Sequence, residues 1–454
     1  MPDVVVVGAG IGGMAAAARL AKLGHHVTVC ERNSHAGGAI HRIERDGFSW
    51  DSGPAATGIP ALLRDLFRTT GRPLEHYLDL QMWSVSRRHL FPDGSAVNVP
   101  TGSRAAQIDA FDRGLGHGAG REWSRHVDSQ AAKWDVLREQ LLDEPEGARR
   151  LLDRRVDKIL RSSTSLAASL RSSLGDARLR QVAAHAVLEA GADPAAVPAW
   201  AAVTAYAERS FGRWSPPGGM AIVTDALVTR LAERGVDLML GCEVEAITVG
   251  GDGSVNGVRS SDGDLAARIV VTDIDPRTVF GRLLSRNAAP AAARTFATAR
   301  SAALPHLTHL GLSAAAPDLP QDLPQETVVH GDQPLVVVTT GHAPDGMSAW
   351  TLRWRGPAGR DPVEELASRG IDVRGLVVTR VDRSAVTLAA ESGGCPWGLA
   401  PQRWRRTARR AELLHAVPGL HLVGAGGWPG PWIPTVLWET GHVATRVGKA
   451  AGRH

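Results

Sequence analysis

Residues 4–13 read VVVVGAGIGG, and the alanine-rich stretch 14–23 and Gly24 follow them. A run of β-branched residues that breaks into glycines predicts a buried strand and a tight turn, and the alanines after it favour a helix. Val27 to Cys30 then has the pattern of a second strand. The start of the chain therefore predicts a strand-turn-helix-turn-strand unit.

The glycines of this unit have the spacing of a dinucleotide-binding turn. Gly8 allows the tight turn, Gly10 lets the backbone approach a pyrophosphate, and Gly13 permits close contact between helix and strand. Ile11 and Gly12 lie at the start of the helix, where free N–H groups and a partial positive charge attract phosphate. We therefore predict a bound dinucleotide.

Glu31 ends the second strand, roughly twenty residues after the glycines, where a dinucleotide-binding unit has an acid. A carboxylate there accepts hydrogen bonds from ribose hydroxyls and repels a 2′-phosphate. We place Glu31 and its neighbour Arg32 in the predicted cofactor site. These residues alone do not separate NAD from FAD.

The sequence ERNSHAGGAIHRIERDGFSWDSGP at 31–54 resembles the glycine-rich extension of FAD-dependent amine oxidases and carotenoid desaturases. The resemblance implies one non-covalently bound FAD. It also implies that Gly37, Gly38 and Ala39 cover the pyrophosphate and the flavin, and that the Gly53-Pro54 turn belongs to the same site. These families often have an arginine at the position of Ala39, and this departure concerns one phosphate contact.

Residues 420–441, LHLVGAGGWPGPWIPTVLWETG, resemble the closing motif of bacterial phytoene desaturases. Gly424 and Gly426 would let the backbone lie near the ribityl phosphate. Ile433 and Pro434 would begin the last helix, because proline suits the first turn of a helix. The positive end of that helix would stabilise an anionic reduced flavin.

Two tryptophans in this motif, Trp428 and Trp432, stand where the desaturases favour small residues. They are our candidates for lining the substrate end of the flavin, with ordinary core packing as the alternative. The middle of the chain resembles the same families: Val244 stands where a backbone amide meets adenine, and residues 270–275 resemble a strand that returns to the sheet. No catalytic acid, base or nucleophile is identified, and the flavin itself would carry the chemistry.

The predicted fold is α/β, with a Rossmann-type FAD-binding domain of the glutathione reductase kind and an inserted mixed α+β substrate domain. Three strands are predicted at Val236–Val249, Ser254–Ser260 and Leu265–Val271, and residues 121–207 are predicted to form a helical insertion. The predicted domains are discontinuous: the FAD-binding domain comprises 1–85, 215–285 and 411–454, and the substrate domain comprises 86–214 and 286–410.

Length and composition set further limits. A chain of 454 residues favours two domains, and 43% hydrophobic with 22% charged residues indicates an ordinary folded, soluble protein. A formal net charge of +4 and short basic runs give no reason to expect nucleic-acid binding. His306 and His309 lack a third ligand at a suitable spacing, so no metal site is predicted.

The compartment follows from the cysteines and the apolar runs. Cys30, Cys242 and Cys395 have no paired spacing, which indicates a reducing environment. A strand begins close to Met1, and no run approaches the roughly 18 apolar residues of a membrane span. We expect a cytoplasmic location, and leave open a contact of the helical stretch with a membrane surface.

The resemblance implies an FAD-dependent desaturase or dehydrogenase that removes hydride from an apolar isoprenoid- or polyketide-like small molecule, as in secondary metabolism. Because one dinucleotide unit is visible, the electron acceptor would be oxygen, a quinone or a second substrate. The alternatives are an amine or amino-acid oxidase, a flavin-assisted cyclase or isomerase, and a non-catalytic prenyl-binding chaperone-like protein. Four lysines and two tyrosines offer little of the usual amine oxidase site. The oligomeric state is not predicted.

Overall fold

The computed structural model describes residues 3–139, 159, 163–315, 322–357, 359–394, 396–400, 404–427 and 430–450. The strands, in chain order, are β1 (Val4–Val7), β2 (Val27–Glu31), β3 (Arg42–Arg45), β4 (Phe48–Asp51), β5 (Gln81–Met82), β6 (Val85–Leu90), β7 (Ala96–Pro100), β8 (Trp214–Ser215), β9 (Asp237–Leu240), β10 (Val244–Val249), β11 (Val255–Ser260), β12 (Gly263–Ala266), β13 (Ile269–Thr272), β14 (His306–Leu312), β15 (Glu326–Val329), β16 (Leu335–Val338), β17 (Ser348–Trp354), β18 (Val377–Arg383) and β19 (Leu420–Leu422).

The described helices of seven or more residues are α1 (Ile11–Lys22), α2 (Pro60–Thr70), α3 (Arg104–Leu115), α4 (Ala119–Asp128), α5 (Ala131–Leu137), α6 (Leu166–Ser173), α7 (Ala177–Glu189), α8 (Val203–Phe211), α9 (Ala221–Glu233), α10 (Pro290–Ala297), α11 (Pro362–Ser368), α12 (Ala385–Glu391), α13 (Trp404–Leu413) and α14 (Ile433–Val447). Among the described residues, none of these helices is both long and apolar enough to span a bilayer.

A five-stranded sheet forms the centre of the first unit, with the order β19-β13-β1-β2-β9. All of its pairings are parallel. Side chains alternate between the two faces of a strand, and β1 is buried on both faces. Val4 and Val6 pack with α1, whereas Val5 and Val7 pack on the opposite side. The continuous valine run is therefore the expected sequence of a central parallel strand.

Different layers cover the two faces of this sheet. Residues of α1, α2, α9 and α14 form the core on one face. The antiparallel sheet β10-β11-β12 covers the other, together with buried side chains such as Phe280 and Phe296. Ala15 to Ala18 of α1 are completely buried, because α14 packs against them. The predicted α/β fold with a Rossmann-type FAD-binding unit is confirmed.

Two predicted strands are wrong in extent. Val236–Val249 is not one strand: β9 pairs with β2 in the parallel sheet, and β10 begins the antiparallel sheet. Gly241, with φ of +75°, provides the left-handed turn between them. Leu265–Val271 likewise divides into the end of β12 and β13. Because the hydrophobic pattern continues through both turns, the sequence did not indicate that a strand ends there.

The second large sheet has seven strands in the order β18-β14-β17-β16-β15-β6-β7. It joins residues 85–100 to residues 306–383, the two pieces that the sequence predicts for the substrate domain. Helices α4 to α8 form the described part of the predicted helical stretch, and residues 140–158 and 160–162 of that stretch lie outside the described residues. The domain boundaries themselves stay a prediction.

Candidate cofactor and substrate site

The glycine turn between β1 and α1 is as tight as its sequence predicts. Gly8 has φ of +99°, a conformation that favours glycine. A Cβ atom on Gly13 would lie 2.1 Å from the carbonyl oxygen of Gly8, so only glycine permits this contact of helix and strand. The N-cap of α1, Gly10, carries no side-chain cap. The N-terminus of α1 is thus placed as in a phosphate site, with the Gly13 N–H already bonded to the side chain of Asp273.

Asp273 follows β13 and lies under the N-terminus of α1. Its Oδ2 accepts a hydrogen bond from the Gly13 N–H at 2.8 Å, and a Cβ on Gly10 would lie 2.3 Å from the same oxygen. Burial raises the pKa of Asp273 to about 7, and the nearby Glu31 adds to the rise. The sequence showed only a strand here. An acid directly after a buried strand, at the carboxyl edge of a parallel sheet, is the signal that could have identified it.

Glu31 is buried at the end of β2, and backbone amides fix its carboxylate. Oε2 accepts a hydrogen bond from the Ala9 N–H at 2.8 Å, and Oε1 accepts one from the Asn33 N–H at 2.9 Å. Each carboxylate oxygen has a second lone pair that can accept a ribose hydroxyl. The adjacent Arg32 donates to the backbone carbonyl oxygen of Glu391 at 2.8 Å. This hydrogen bond connects the end of α12 with the carboxyl end of β2.

The loop after β2 returns to the glycine turn. Gly37 has φ of +113°, and its N–H donates to the Ala9 carbonyl at 2.8 Å. Gly38 also has a positive φ, +56°. A Cβ on Gly53 would lie 2.2 Å from the carbonyl oxygen of Ala39, so Gly53 allows the second part of the loop to pack on the first. The loop therefore packs on the glycine turn, and its predicted cover of the pyrophosphate and the flavin stays a prediction.

The C-terminal motif, residues 420–441, packs against the same glycine turn and Asp273. A Cβ on Gly424 would lie 1.7 Å from Asp273 Oδ1, and one on Gly426 would lie 2.2 Å from Pro276. Pro434 lies in the first turn of α14, as predicted. Trp432, the N-cap of that helix, is 42% exposed. Trp428 lies outside the described residues.

These segments enclose one cavity at the carboxyl edge of the parallel sheet. Most of the predicted cofactor residues line it: Gly8, Gly10, Ile11, Glu31, Arg32, Gly37, Gly38, Ala39, Pro54, Val244, Gly424, Gly426 and Ile433. The other four predicted residues do not line this cavity. Gly12, Gly13 and Gly53 allow close packing next to it, and Pro434 lines a different cavity. A glycine cradle that side chains would fill, a helix N-terminus and a backbone-held carboxylate fit an FAD molecule.

A second cavity adjoins the first. The two share Ala39, Pro54, Pro396, Pro431 and Ile433. The apolar side chains of the second cavity come from several elements: Ile59, Leu62, Trp134, Trp397 and Trp432. No lysine is among the described residues that line either cavity. The shared residues mark where a bound flavin would meet a substrate.

One wall of the second cavity is charged. We call its three arginines and three glutamates the Arg/Glu cluster: Arg87, Arg213, Arg353, Glu189, Glu208 and Glu326. All but Glu326 line the cavity, and Glu326 lies completely buried behind them. The six residues come from β6, α7, α8, β15, β17 and the residue before β8. No spacing in the sequence connects them, so sequence reasoning missed the cluster.

The cluster also brings together His185, Glu189 and Glu326, whose potential ligand atoms lie within 4.8 Å of one another. The sequence predicts no metal site. Both carboxylates already accept from guanidinium groups: Arg353 reaches Glu189 at 2.9 Å and Glu326 at 2.8 Å. Arginine therefore supplies the positive charge that a cation would bring.

A dinucleotide cavity at the carboxyl edge of a parallel sheet, adjoined by a second cavity that shares lining residues with it, suits a flavin-dependent oxidoreductase. Residues 11–289, more than half of the chain, match the family described as flavin containing amine oxidoreductase. The chain belongs to this family. It is an FAD-dependent oxidoreductase, as the sequence predicts.

Known proteins support the same relationship. The chain is 26% identical over 490 residues to hydroxyneurosporene desaturase of Cereibacter sphaeroides, covering 98% of this chain and 97% of that protein. It is 32% identical over 294 residues to a zeta-carotene-forming phytoene desaturase of Myxococcus xanthus, covering 63% of this chain and 56% of that protein. A double mutant of putrescine oxidase has a similar fold, with a TM-score of 0.73 at 16% identity over 98% of both chains.

Proposed function

We propose that this protein desaturates an apolar, isoprenoid-like molecule. Desaturation removes a hydride and a proton from neighbouring carbon atoms of the substrate. Two relatives that the chain resembles are carotenoid desaturases by name, and one of them matches over nearly the full length of both proteins. The alternative of a polyketide-like substrate is not part of this proposal, because the names of both relatives refer to carotenoids.

The meeting of the two cavities is the observation that carries the proposal. Pro54, Pro431 and Ile433 belong to both linings, so a substrate in the second cavity lies directly against a molecule in the first. Hydride transfer needs approach to about 3–3.5 Å and a dry site. Apolar side chains such as Trp134 and Trp397 exclude water from this position and match an apolar substrate.

Bound FAD would supply the hydride acceptor. In the proposal, Glu31 accepts hydrogen bonds from the ribose hydroxyls, and the N-terminus of α1 faces the pyrophosphate. The loop at Gly37 to Ala39 covers the pyrophosphate and the flavin. The N-terminus of α14 faces the pyrimidine end of the isoalloxazine. Val244 lies at the adenine end. The chain would thus bind and orient both reactants. The hydride would pass to bound FAD, and the proton lost from the neighbouring carbon would pass to the reduced flavin or to solvent water, so the balance does not require a side chain as acid or base.

The domain assignment belongs to the same proposal. The FAD-binding domain would comprise 1–85, 215–285 and 411–454, and the substrate domain 86–214 and 286–410. Oxygen, a quinone or a second substrate that reaches the same cavity would reoxidise the flavin. A membrane surface in contact with the helical stretch would be a source of apolar substrate.

Amine oxidation is the second candidate, since putrescine oxidase shares the fold. The absence of lysine among the described cavity residues argues against it. In the second cavity, Glu189 and Glu208 are both paired with Arg87, which leaves little net attraction for an ammonium group. A flavin-assisted cyclase or isomerase would use the same two cavities. A prenyl-binding protein without flavin would have no need of the glycine cradle.

The test is anaerobic reduction of the purified yellow protein. We expect FAD to co-purify and to be released by acid or heat. Phytoene in detergent micelles should bleach the flavin absorbance, and the product should lack two hydrogen atoms. Putrescine under the same conditions should leave the flavin oxidised. A colourless protein that takes up no FAD, or bleaching by the amine alone, would contradict the proposal.

A further inference from the structure

The Arg/Glu cluster is built to be electrically neutral. Arg87 contacts three carboxylates: Glu189 at 2.8 Å, Glu326 at 2.5 Å, and Glu208 in a short ion pair. Arg213 donates to Glu326 at 2.8 Å. Three guanidinium groups thus face three carboxylates, and their formal charges cancel.

One further cation lies beside the cluster: Arg355 interacts with the charges of Glu189 and Arg353. Its guanidinium donates to the backbone carbonyl oxygens of Ala303 and Glu189, both at 2.7 Å, and Arg355 is not among the residues that line the cavity.

The neighbouring histidines add no charge. Burial, together with the Arg87 charge, lowers the pKa of His185 well below its ordinary value, so His185 is neutral. His89 and His330 are also kept neutral, because burial lowers the pKa of both. Burial and the Glu326 charge raise the pKa of Glu189, but guanidinium nitrogens at 2.8 and 2.9 Å hold it as a carboxylate.

Three members of the cluster line the cavity with partly exposed side chains. The exposed fraction of the side chain is 23% for Glu208, 19% for Glu189 and 12% for Arg213, against 0% for Glu326. Arg213 also lies over the ring of Trp83, with its guanidinium carbon 4.9 Å from the ring centroid. The cavity wall therefore presents fixed hydrogen-bond acceptors and a fixed donor side by side.

A hydrocarbon placed on this wall would strip water from charged groups and return no hydrogen bonds, which is unfavourable. A carboxylate would meet Arg213 but also Glu189 and Glu208. An ammonium group would meet the glutamates but also the arginines. A hydroxyl group both donates and accepts, carries no charge, and so satisfies both kinds of partner.

We infer that the substrate of this protein is an oxygenated isoprenoid whose hydroxyl group lies against the Arg/Glu cluster, donating to Glu208 or Glu189 and accepting from Arg213. The inference rests on the proposed function for the identity of the second cavity. It makes the cluster a specificity determinant that selects an alcohol over the parent hydrocarbon. The apolar tryptophans would hold the rest of the same molecule.

Four ligands with one chain length and different head groups test the inference on the unmodified holoenzyme. They are geranylgeraniol, the hydrocarbon with a methyl group in place of the hydroxyl, geranylgeranoic acid and geranylgeranylamine. Equilibrium dialysis should give the lowest Kd for the alcohol, about tenfold or more below the other three, since hydrogen bonds to charged groups are strong. A hydrocarbon that binds as tightly as the alcohol, or a charged analogue that binds more tightly, would overturn it.

A charge change in the cluster gives a second, independent readout. Glu208→Gln keeps the shape of the side chain but leaves the cluster with a net charge of +1, so the acid should gain affinity relative to the alcohol. Glu364→Gln is the matched control: Glu364 is 61% exposed and pairs with Arg374 at 2.9 Å on the surface, so its variant should keep the wild-type order. An unchanged order in Glu208→Gln would contradict contact between the head group and the cluster.

The dialysis result does not depend on turnover. If none of the four ligands reduces the flavin, desaturation of such molecules fails while the order of Kd values still tests the head-group inference. If they are desaturated with no preference for the alcohol, the proposed function stands and the inference fails.

Discussion

Glu31 connects the glycine turn with the predicted ribose contact, because the Ala9 N–H and the Asn33 N–H both donate to its carboxylate. Glu31→Ala should weaken FAD binding by about ten- to a hundredfold, which corresponds to the loss of a charge-assisted hydrogen bond of about 1.5–3 kcal/mol. The measurement is a titration of the apoprotein with FAD.

The isosteric variant Glu31→Gln is the control for packing. It retains one acceptor oxygen and should lose less affinity than Glu31→Ala. Wild-type affinity in both variants would show that the ribose contact is assigned to the wrong residue.

Asp273 should make FAD binding depend on pH. Burial raises its pKa to about 7, so the ionised form is the unfavourable one, and its stabilising neutral form is lost as the pH rises through that value. A carboxylate under α1 would also repel the pyrophosphate. FAD affinity should therefore fall above pH 7, by at most about tenfold per pH unit for one proton. FAD titrations at pH 6 and pH 8 measure the effect.

Asp273→Asn removes the titrating group while keeping an acceptor for the Gly13 N–H. Its FAD affinity should be nearly the same at both pH values. An equally strong pH dependence in the variant would assign the effect to another group, with the neighbouring Glu31 as the first to examine.

The close contact between α1 and the turn after β1 requires glycine at position 13. A methyl group there would lie 2.1 Å from a backbone oxygen that cannot rotate away. Gly13→Ala should therefore lower the free energy of unfolding by about 1–3 kcal/mol or more, and should reduce the FAD content. Thermal unfolding and the ratio of flavin to protein absorbance measure both effects.

Gly281 provides the matched control for this substitution. It has ordinary negative φ, and a Cβ at this position would find no atom within 4 Å. Gly281→Ala should leave the FAD content unchanged and should not lower the unfolding temperature, because alanine is favoured over glycine in a helical segment. Equal losses in the two variants would show that the contact between α1 and β1 is not the cause.

Local patterns were sufficient to predict the elements that line the candidate cofactor cavity. The valine run, the glycines and Glu31 lie within the first 31 residues, so short-range rules apply to them. Turn chemistry was less visible: Gly241 separates two strands of one hydrophobic run. The Arg/Glu cluster could not be predicted, because strands of one sheet bring Arg87 next to Glu326 across 239 positions.

One dinucleotide-binding unit has a consequence for electron flow. The described residues contain one parallel sheet of the Rossmann kind, and the seven-stranded sheet is mainly antiparallel. NADH and NADPH should therefore bleach the bound flavin only slowly under anaerobic conditions, whereas the substrate should bleach it within the time of one turnover. Stopped-flow absorbance with each reductant in turn measures this. Rapid, saturable bleaching by NADPH would make a reductase the better assignment.

The parallel sheet unites distant parts of the chain, and this has a consequence for the order of synthesis. Among the strands of the parallel sheet, β19 is synthesised after the other four, and α14 follows it, yet α14 packs directly on α1. A nascent chain that has emerged only as far as residue 400 lacks both Gly424 and the wall at Ile433. If the cofactor binds in the proposed cavity, we expect it to bind after residues 424–433 have left the ribosome. Protein made in cells short of FAD should then accumulate as apoprotein that takes up FAD added later.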